Sequence, residues 1–210
     1  MNLGIFSAPT PVNESIKTYL PGSNEKLNLK KELLLQKSAN IETGPIINGK
    51  TIKTGNTVEI RAPHDHSLLL GKYHLAGDTE VLSAIESALN AKKAWAEMPM
   101  EERASVFLRA AELLAGPYRD KLNAATMLGQ SKNVHQAEID AACELIDFWR
   151  FNVKFMMDIY RQQPSVSPTG IWNRVAYRPL EGFIFAVRPF NFTAIGGNLT
   201  TAPVLMGNVC

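Results

Sequence analysis

From residue 78 onward the apolar positions repeat at three and four, the spacing of helices that each bury one face. Val81, Ile85, Ala88 and Leu89 form the first such set, with Asp78 as its cap and Pro99 just past its end. Val106, Phe107, Ala110, Leu113 and Leu114 form a second, from about Glu101 to Ala115, stopped by Gly116-Pro117. A third helix covers about Tyr118 to Leu128 and ends at Gly129. The fourth and longest runs from about Asn133 to Tyr160, with Ile139, Ala142, Leu145, Ile146, Trp149, Val153 and Met156 along its apolar side.

Ahead of these helices the pattern differs. The first forty positions begin as a Pro/Ser/Asn-rich arm, and Leu27 to Gln36 then suits a short amphipathic helix with Leu27, Leu29, Leu33 and Leu34 clustered. Residues 45–76 read as strands. Asn48-Gly49, between Ile46-Ile47 and Thr51-Ile52, is a strong hairpin signal, because both central residues of that turn need positive φ. Val58 to Ile60 and Leu68 to Leu75 are further strand candidates around a turn at Pro63. Beyond the long helix, Ser165 to Arg178 turns β-like again, with Pro168-Thr169-Gly170 between two short arms. A two-stranded ribbon is marginal in water, which lends weight to a partner.

The last thirty residues hold the candidate chemistry. Phe183 to Val187 is apolar on both faces and predicts a strand covered on two sides, as in a parallel sheet. Pro189 ends it, Asn191 stands at the turn, and Thr193 to Leu205, with Gly196 and Gly197 inside, suits a helix packed closely on the sheet. In open α/β sheets, ligands bind outside the carboxyl ends of strands, where Asn191 falls. Its carboxamide can donate to an oxyanion without bringing charge. It can equally close a turn onto its own backbone. Local chemistry leaves both readings open.

Composition narrows the class. The net charge of +2 makes no electrostatic case for nucleic acid or an anionic membrane. No apolar run is long enough for a membrane-spanning helix. Two cysteines make no disulfide framework, and the default is a reducing compartment. The first arginine is Arg61, so the start is not the Arg-rich lead of a matrix enzyme, which favours a bacterial cytoplasm over a mitochondrial matrix.

Two long stretches, PFNFTAIGGNLTTAPVLMGN near the end and GQSKNVHQAEIDAACELIDFWRFN (Gly129 to Asn152), together with INGK and RQQP, resemble the aldehyde dehydrogenase superfamily. The likeness runs from about residue 46 onward, and within the superfamily it is narrowest to the branch acting on L-glutamate γ-semialdehyde. It implies an α/β fold: β-hairpins, a helical segment with one long helix, a projecting β-ribbon, and the first strand and helix of a Rossmann-like parallel sheet. It divides the chain into an arm (1–44), strands and helices of the NAD-binding region (45–164), an oligomerisation ribbon (165–180) and the start of the nucleotide sheet (181–210). The cofactor implied is NAD, the partners an aldehyde and further copies joined through the 165–178 ribbon. By the same resemblance Asn191 is the oxyanion donor, Arg188, Pro189 and Phe190 line the cofactor, and Phe192 and Glu144 face the substrate. An arginine at 188 departs from the small or apolar residue expected there. The superfamily's nucleophilic cysteine and general-base glutamate have no counterpart here, so the expectation is the N-terminal part of an enzyme, inactive by itself. Another aldehyde dehydrogenase, or a non-catalytic module that joins a full-length partner, are the alternatives.

Other candidates weigh less. Glu138, Asp140 and Asp147 on the long helix suit a solvated face. His64 and His66 share a strand spacing, but no further ligands complete a metal site. Cys143 reads as a small core residue, and Cys210 as the start of a second strand.

Overall fold

In the computed structural model residues 7–210 are described; residues 1–6, the first part of the predicted arm, lie outside the described residues. Residues from Ala8 to Tyr19 lie along the helical body before α1 (Asn24–Ser38), which Ser23 caps by accepting from Lys26 N–H. Leu29 is buried, whereas Leu27 and Leu34, expected to cluster with it, are exposed. Strands β1 (Ile41–Thr43), β4 (Thr57–Ala62) and β5 (Asp65–His74) make a sheet in the order β1-β5-β4. Between them sits the hairpin of β2 (Ile46–Ile47) and β3 (Lys50–Thr51), whose Asn48 and Gly49 take φ of 49° and 72°. The sequence signal for that turn is thus met in its geometry.

Four helical segments then follow at the expected places. Helix α2 (Asp78–Glu97) starts at its presumed cap, one residue earlier than expected: Gly77 is the cap and its N–H donates to Glu80 Oε2 at 2.7 Å. Asp78 is therefore the first helical residue, where a carboxylate still suits the helix dipole. Helix α3 (Met100–Ala115) buries Ala104, Phe107, Ala111 and Leu114, and Val106 faces outward. Helix α4 (Arg119–Gln130) runs through Gly129 and ends at Ser131, which adopts the left-handed conformation.

The long helix is not uniform. Asn133 caps α5 (Val134–Ala137), a π-helical turn (Glu138–Cys143) follows, and α6 (Glu144–Arg161) continues from it. The Glu144 N–H reaches Ile139 O, one residue farther than an α-helical bond. One inserted residue turns everything before it by about 100° relative to an unbroken helix. Ile139, expected inside, is consequently 43% exposed, and Glu138, expected on a solvated face, is fully buried. The positions after the insertion keep their phase: Leu145, Ile146, Val153 and Met156 are all buried.

Glu138 is buried among partners. Arg119, itself 1% exposed, makes a double contact with its carboxylate. Tyr19 Oη (2.7 Å), Asn123 Nδ2 (2.8 Å) and Lys17 N–H (2.8 Å) donate to it as well. The guanidinium also reaches Glu14 Oε1 (2.6 Å) and Ser15 O (2.7 Å), and Arg150 holds the other Glu14 oxygen at 2.7 Å. Asp147 accepts from Glu14 N–H and Asn13 Nδ2, both at 2.7 Å. Residues 13–19 are thereby fastened across α4, the π turn and α6. Burial alone would raise the Glu138 and Glu14 carboxyls, but the arginines and hydrogen bonds outweigh it and hold both below the usual 4.5.

Helix α7 (Thr193–Leu205) has the bounds its small-residue run predicted. Its close approach is to α6: a Cβ on Gly197 would lie 2.7 Å from Leu145 Cδ1. The strand before it is not formed. Residues 183–187 carry no ladder, although Ile184 N–H donates to Val209 O at 2.8 Å, a first rung toward the segment after α7. Ile184 and Ala186 are half-covered, and Phe185 on the opposite face is 82% exposed. A ladder needs a run of paired backbone groups along a neighbouring strand, and here the recorded contact with the segment after α7 is too short to make one. The predicted ribbon at 165–178 likewise lacks a ladder. Its turn exists, with Ile171 N–H to Pro168 O at 3.0 Å, and side chains do the closing: Gln163 bonds both N–H (2.9 Å) and C=O (3.3 Å) of Val175. Trp172 there is 78% exposed.

Two outcomes are expected. A carboxyl depressed by folding contributes stability at neutral pH that fades as pH falls below 4.5 through its lower folded value. Urea titrations from pH 7 downward should therefore show stability declining in that window. Glu138→Ala, which takes from the buried Arg119 the carboxylate it contacts twice and leaves it Glu14 and Ser15 O, should cost about 3 kcal/mol at pH 7 and flatten the decline. Gly197→Ala should cost about 1–3 kcal/mol, because Leu145 is enclosed and cannot easily swing away; thermal unfolding reads it.

Candidate active site at the start of the last helix

The turn at Phe190-Asn191 leads into α7, whose cap residue Phe192 has no side-chain group to close the first turn. Other elements supply what Phe192 lacks. Asp140 Oδ2, brought inward by the π turn, accepts from Thr193 N–H at 3.3 Å. Thr193 Oγ1 is held by Thr126 Oγ1 and Gln130 Nε2 of α4, each at 2.9 Å. Lys132, in the link after the left-handed Ser131, pairs with Asp140 at 2.5 Å and stands 4.5 Å from the Phe192 ring centroid. The start of α7 is therefore bolted to α4 and to the long helix from two sides.

The predicted site residues are distributed around this frame. Asn191 lies in the turn, exposed, with no hydrogen bond to the described residues. Its amide donors are free, and beside it the N–H groups of Ala194 and Ile195 have no carbonyl of their own helix to reach. Arg188 is exposed and its Cδ lies 3.4 Å from where a Gly196 Cβ would sit, so its stem runs along the small-residue face of α7. Pro189 is half-buried; Phe190 is 93% exposed and stands apart from the cluster. Phe192 is brought to Lys132. Glu144 sits on the outer side of α6, where partial burial and then Asp140 raise its carboxyl, opposed by Lys132. Sequence reasoning passed over Lys132, Thr126, Gln130 and Thr193, and assigned Asp140 to solvent. The one available signal was the lack of a capping side chain at Phe192, which asks for a donor-satisfying group from elsewhere.

Other features lie outside this cluster. A groove of about 920 Å³, lined by Ile60, Leu70, Leu113, Leu122 and Leu128, runs between the sheet and α1, α3 and α4. None of the predicted site residues borders it. His64 Nδ1 pairs with Ser131 Oγ at 2.9 Å. Cys143 is buried against Arg119 and Glu138, and burial, then the Glu138 charge, push its thiol up to about 12. No helix among the described residues is long and apolar enough to cross a membrane.

The model of the aldehyde dehydrogenase family matches residues 51–210. The chain is 50% identical over 208 residues to a delta-1-pyrroline-5-carboxylate dehydrogenase of Agaricus bisporus, covering 99% of this chain and 38% of that protein. With the mitochondrial delta-1-pyrroline-5-carboxylate dehydrogenase of Emericella nidulans it shares 48% over 205 residues, 97% of this chain and 36% of the relative. Among solved structures, the delta-pyrroline-5-carboxylate dehydrogenase of Mycobacterium tuberculosis bound with NAD superposes with a TM-score of 0.95 at 51% identity, over 98% of this chain and 38% of that one. The enzyme from Thermus with bound NAD gives a TM-score of 0.87 at 27% identity, over 97% and 39%. The chain thus spans well under half the length of the proteins it matches.

The environment of Cys143 makes a chemical forecast. Iodoacetamide at pH 8 should leave it unmodified in the folded chain, because the reactive form is the thiolate. Mass spectrometry after unfolding in urea should then find it alkylated.

Proposed function

Because the chain belongs to the aldehyde dehydrogenase family, we propose that its residues serve in an NAD-dependent dehydrogenase that oxidises L-glutamate γ-semialdehyde to L-glutamate. In that setting Asn191 is the oxyanion donor. When a thiolate adds to the aldehyde carbon, the carbonyl oxygen gains negative charge, and the Asn191 amide N–H stabilises it. The open first-turn N–H groups of α7 add their positive end to the same place. Phe192 offers an apolar wall to the aliphatic part of the aldehyde, and Glu144 borders the approach.

The residues also suit a dinucleotide. The Arg188 guanidinium projects from an exposed segment beside the glycine face of α7, a place where a pyrophosphate meets positive charge and little steric bulk. Arg188, Pro189 and Phe190 would hold it. NAD supplies the hydride acceptor when bound. The exposed Trp172 and Val166 on the 165–178 loop support contact with a further copy of the protein, and with it the division of the chain into arm (1–44), nucleotide-region strands and helices (45–164), oligomerisation loop (165–180) and first nucleotide-sheet segment (181–210).

The observation that carries the reading is the free Asn191 carboxamide, in the turn just before Thr193, which α4 and the long helix hold at the start of α7. In the intact enzyme, Asn191→Ala should lower kcat by about 10²–10³-fold with NAD⁺ affinity nearly unchanged. NADH absorbance and a fluorescence titration with NAD⁺ measure the two. An unaltered kcat would overturn the assignment.

A further inference from the structure

The start of α7 carries an unusual charge arrangement. The helix needs an acceptor at its first turn, and Phe192 cannot provide one. Asp140 does, through Oδ2 to Thr193 N–H. Its other oxygen, Oδ1, is buried with no hydrogen-bond partner among the described residues, and its charge is met at Oδ2 by the Thr193 N–H and by the Lys132 ammonium. A lone carboxylate here would oppose the very charge that Asn191 is proposed to stabilise, and Glu144 nearby is a second acid. Lys132 pairs with the same Oδ2 atom and leaves the cap close to neutral.

We propose that Lys132 and Asp140 are a paired positioning device: Asp140 fixes the first turn of α7, and hence where the backbone turn places Asn191, while Lys132 removes the negative charge that such a cap would otherwise set beside the reacting carbonyl oxygen. The inference rests on Asn191 being the oxyanion donor. The two residues act through the turn and touch no substrate. The pair also explains why the link after α4 turns back through Ser131: that turn delivers Lys132 to both Asp140 and the Phe192 ring.

A charge-balance cycle in the intact dehydrogenase tests it. Lys132→Met should lower kcat about tenfold with KM little changed, because the opposing charge acts on the transition state more than on the neutral aldehyde. Lys132→Arg should stay near the parent. Lys132→Met combined with Asp140→Asn should regain most of the lost kcat, since asparagine Oδ1 can still accept from Thr193 N–H without carrying charge. A structural role alone would make the double variant no better than the single. NAD⁺ affinity and the melting temperature are measured for every variant. Absence of that recovery, an unaltered kcat in Lys132→Met, or a loss of NAD⁺ binding and melting temperature matching the loss of kcat would each overturn the proposal. Failure of the oxyanion reading is separate: in that case Asn191→Ala itself leaves kcat unchanged.

Discussion

The buried contact between Arg119 and Glu138 is the constraint on which the helical body depends. Neither charge could be placed in the interior alone; each offsets part of the desolvation cost of the other, and the remaining lone pairs and protons are taken by Tyr19, Asn123, Ser15, Lys17 and Glu14. Every one of those partners lies either in the N-terminal arm or on α4. An extended arm with few apolar side chains cannot hold itself to a surface by burial. Here it is held because it completes the coordination of two charges that lie deep between α4 and the π turn.

The π turn connects this network to the start of α7. Within a single turn Glu138 faces the arm and Asp140 faces Thr193. An unbroken α-helix would place the preceding residues about one position around the axis, and the carboxylates would miss their partners. π-helical turns cost hydrogen-bond quality, and their frequent place is near functional sites. In this chain the turn lies one side chain away from the proposed oxyanion turn, which gives that cost a structural purpose. The helix dipole of α7, the Asp140 carboxylate that caps it and the ammonium of Lys132 then form one electrostatic unit.

Two segments show the opposite situation. Residues 183–187 and 165–178 both have sequences suited to strands, and neither forms a ladder. Their polar groups are met by single bonds, such as Ile184 to Val209, or by side chains such as Gln163. Their apolar faces remain open, with Phe185 and Trp172 the most evident. Local preference makes a strand possible, but backbone pairing makes it stable, and pairing is a property of neighbours.

The sequence by itself determined the order of the helices after residue 78, the Asn48-Gly49 hairpin, the bounds of α7 and the family likeness, because each rests on local spacing or on residue-specific backbone freedom. It also singled out Asn191. What it could not reach was the phase of the long helix: one extra residue in a turn leaves the periodicity of α6 intact while exchanging Ile139 for Glu138 in the interior. Only the tertiary structure decided that exchange, since it depends on Arg119 being buried at the right height, and with it the burial of Asp140 and the role of Lys132. Whether 183–187 becomes a strand was decided the same way, by which backbone stands beside it.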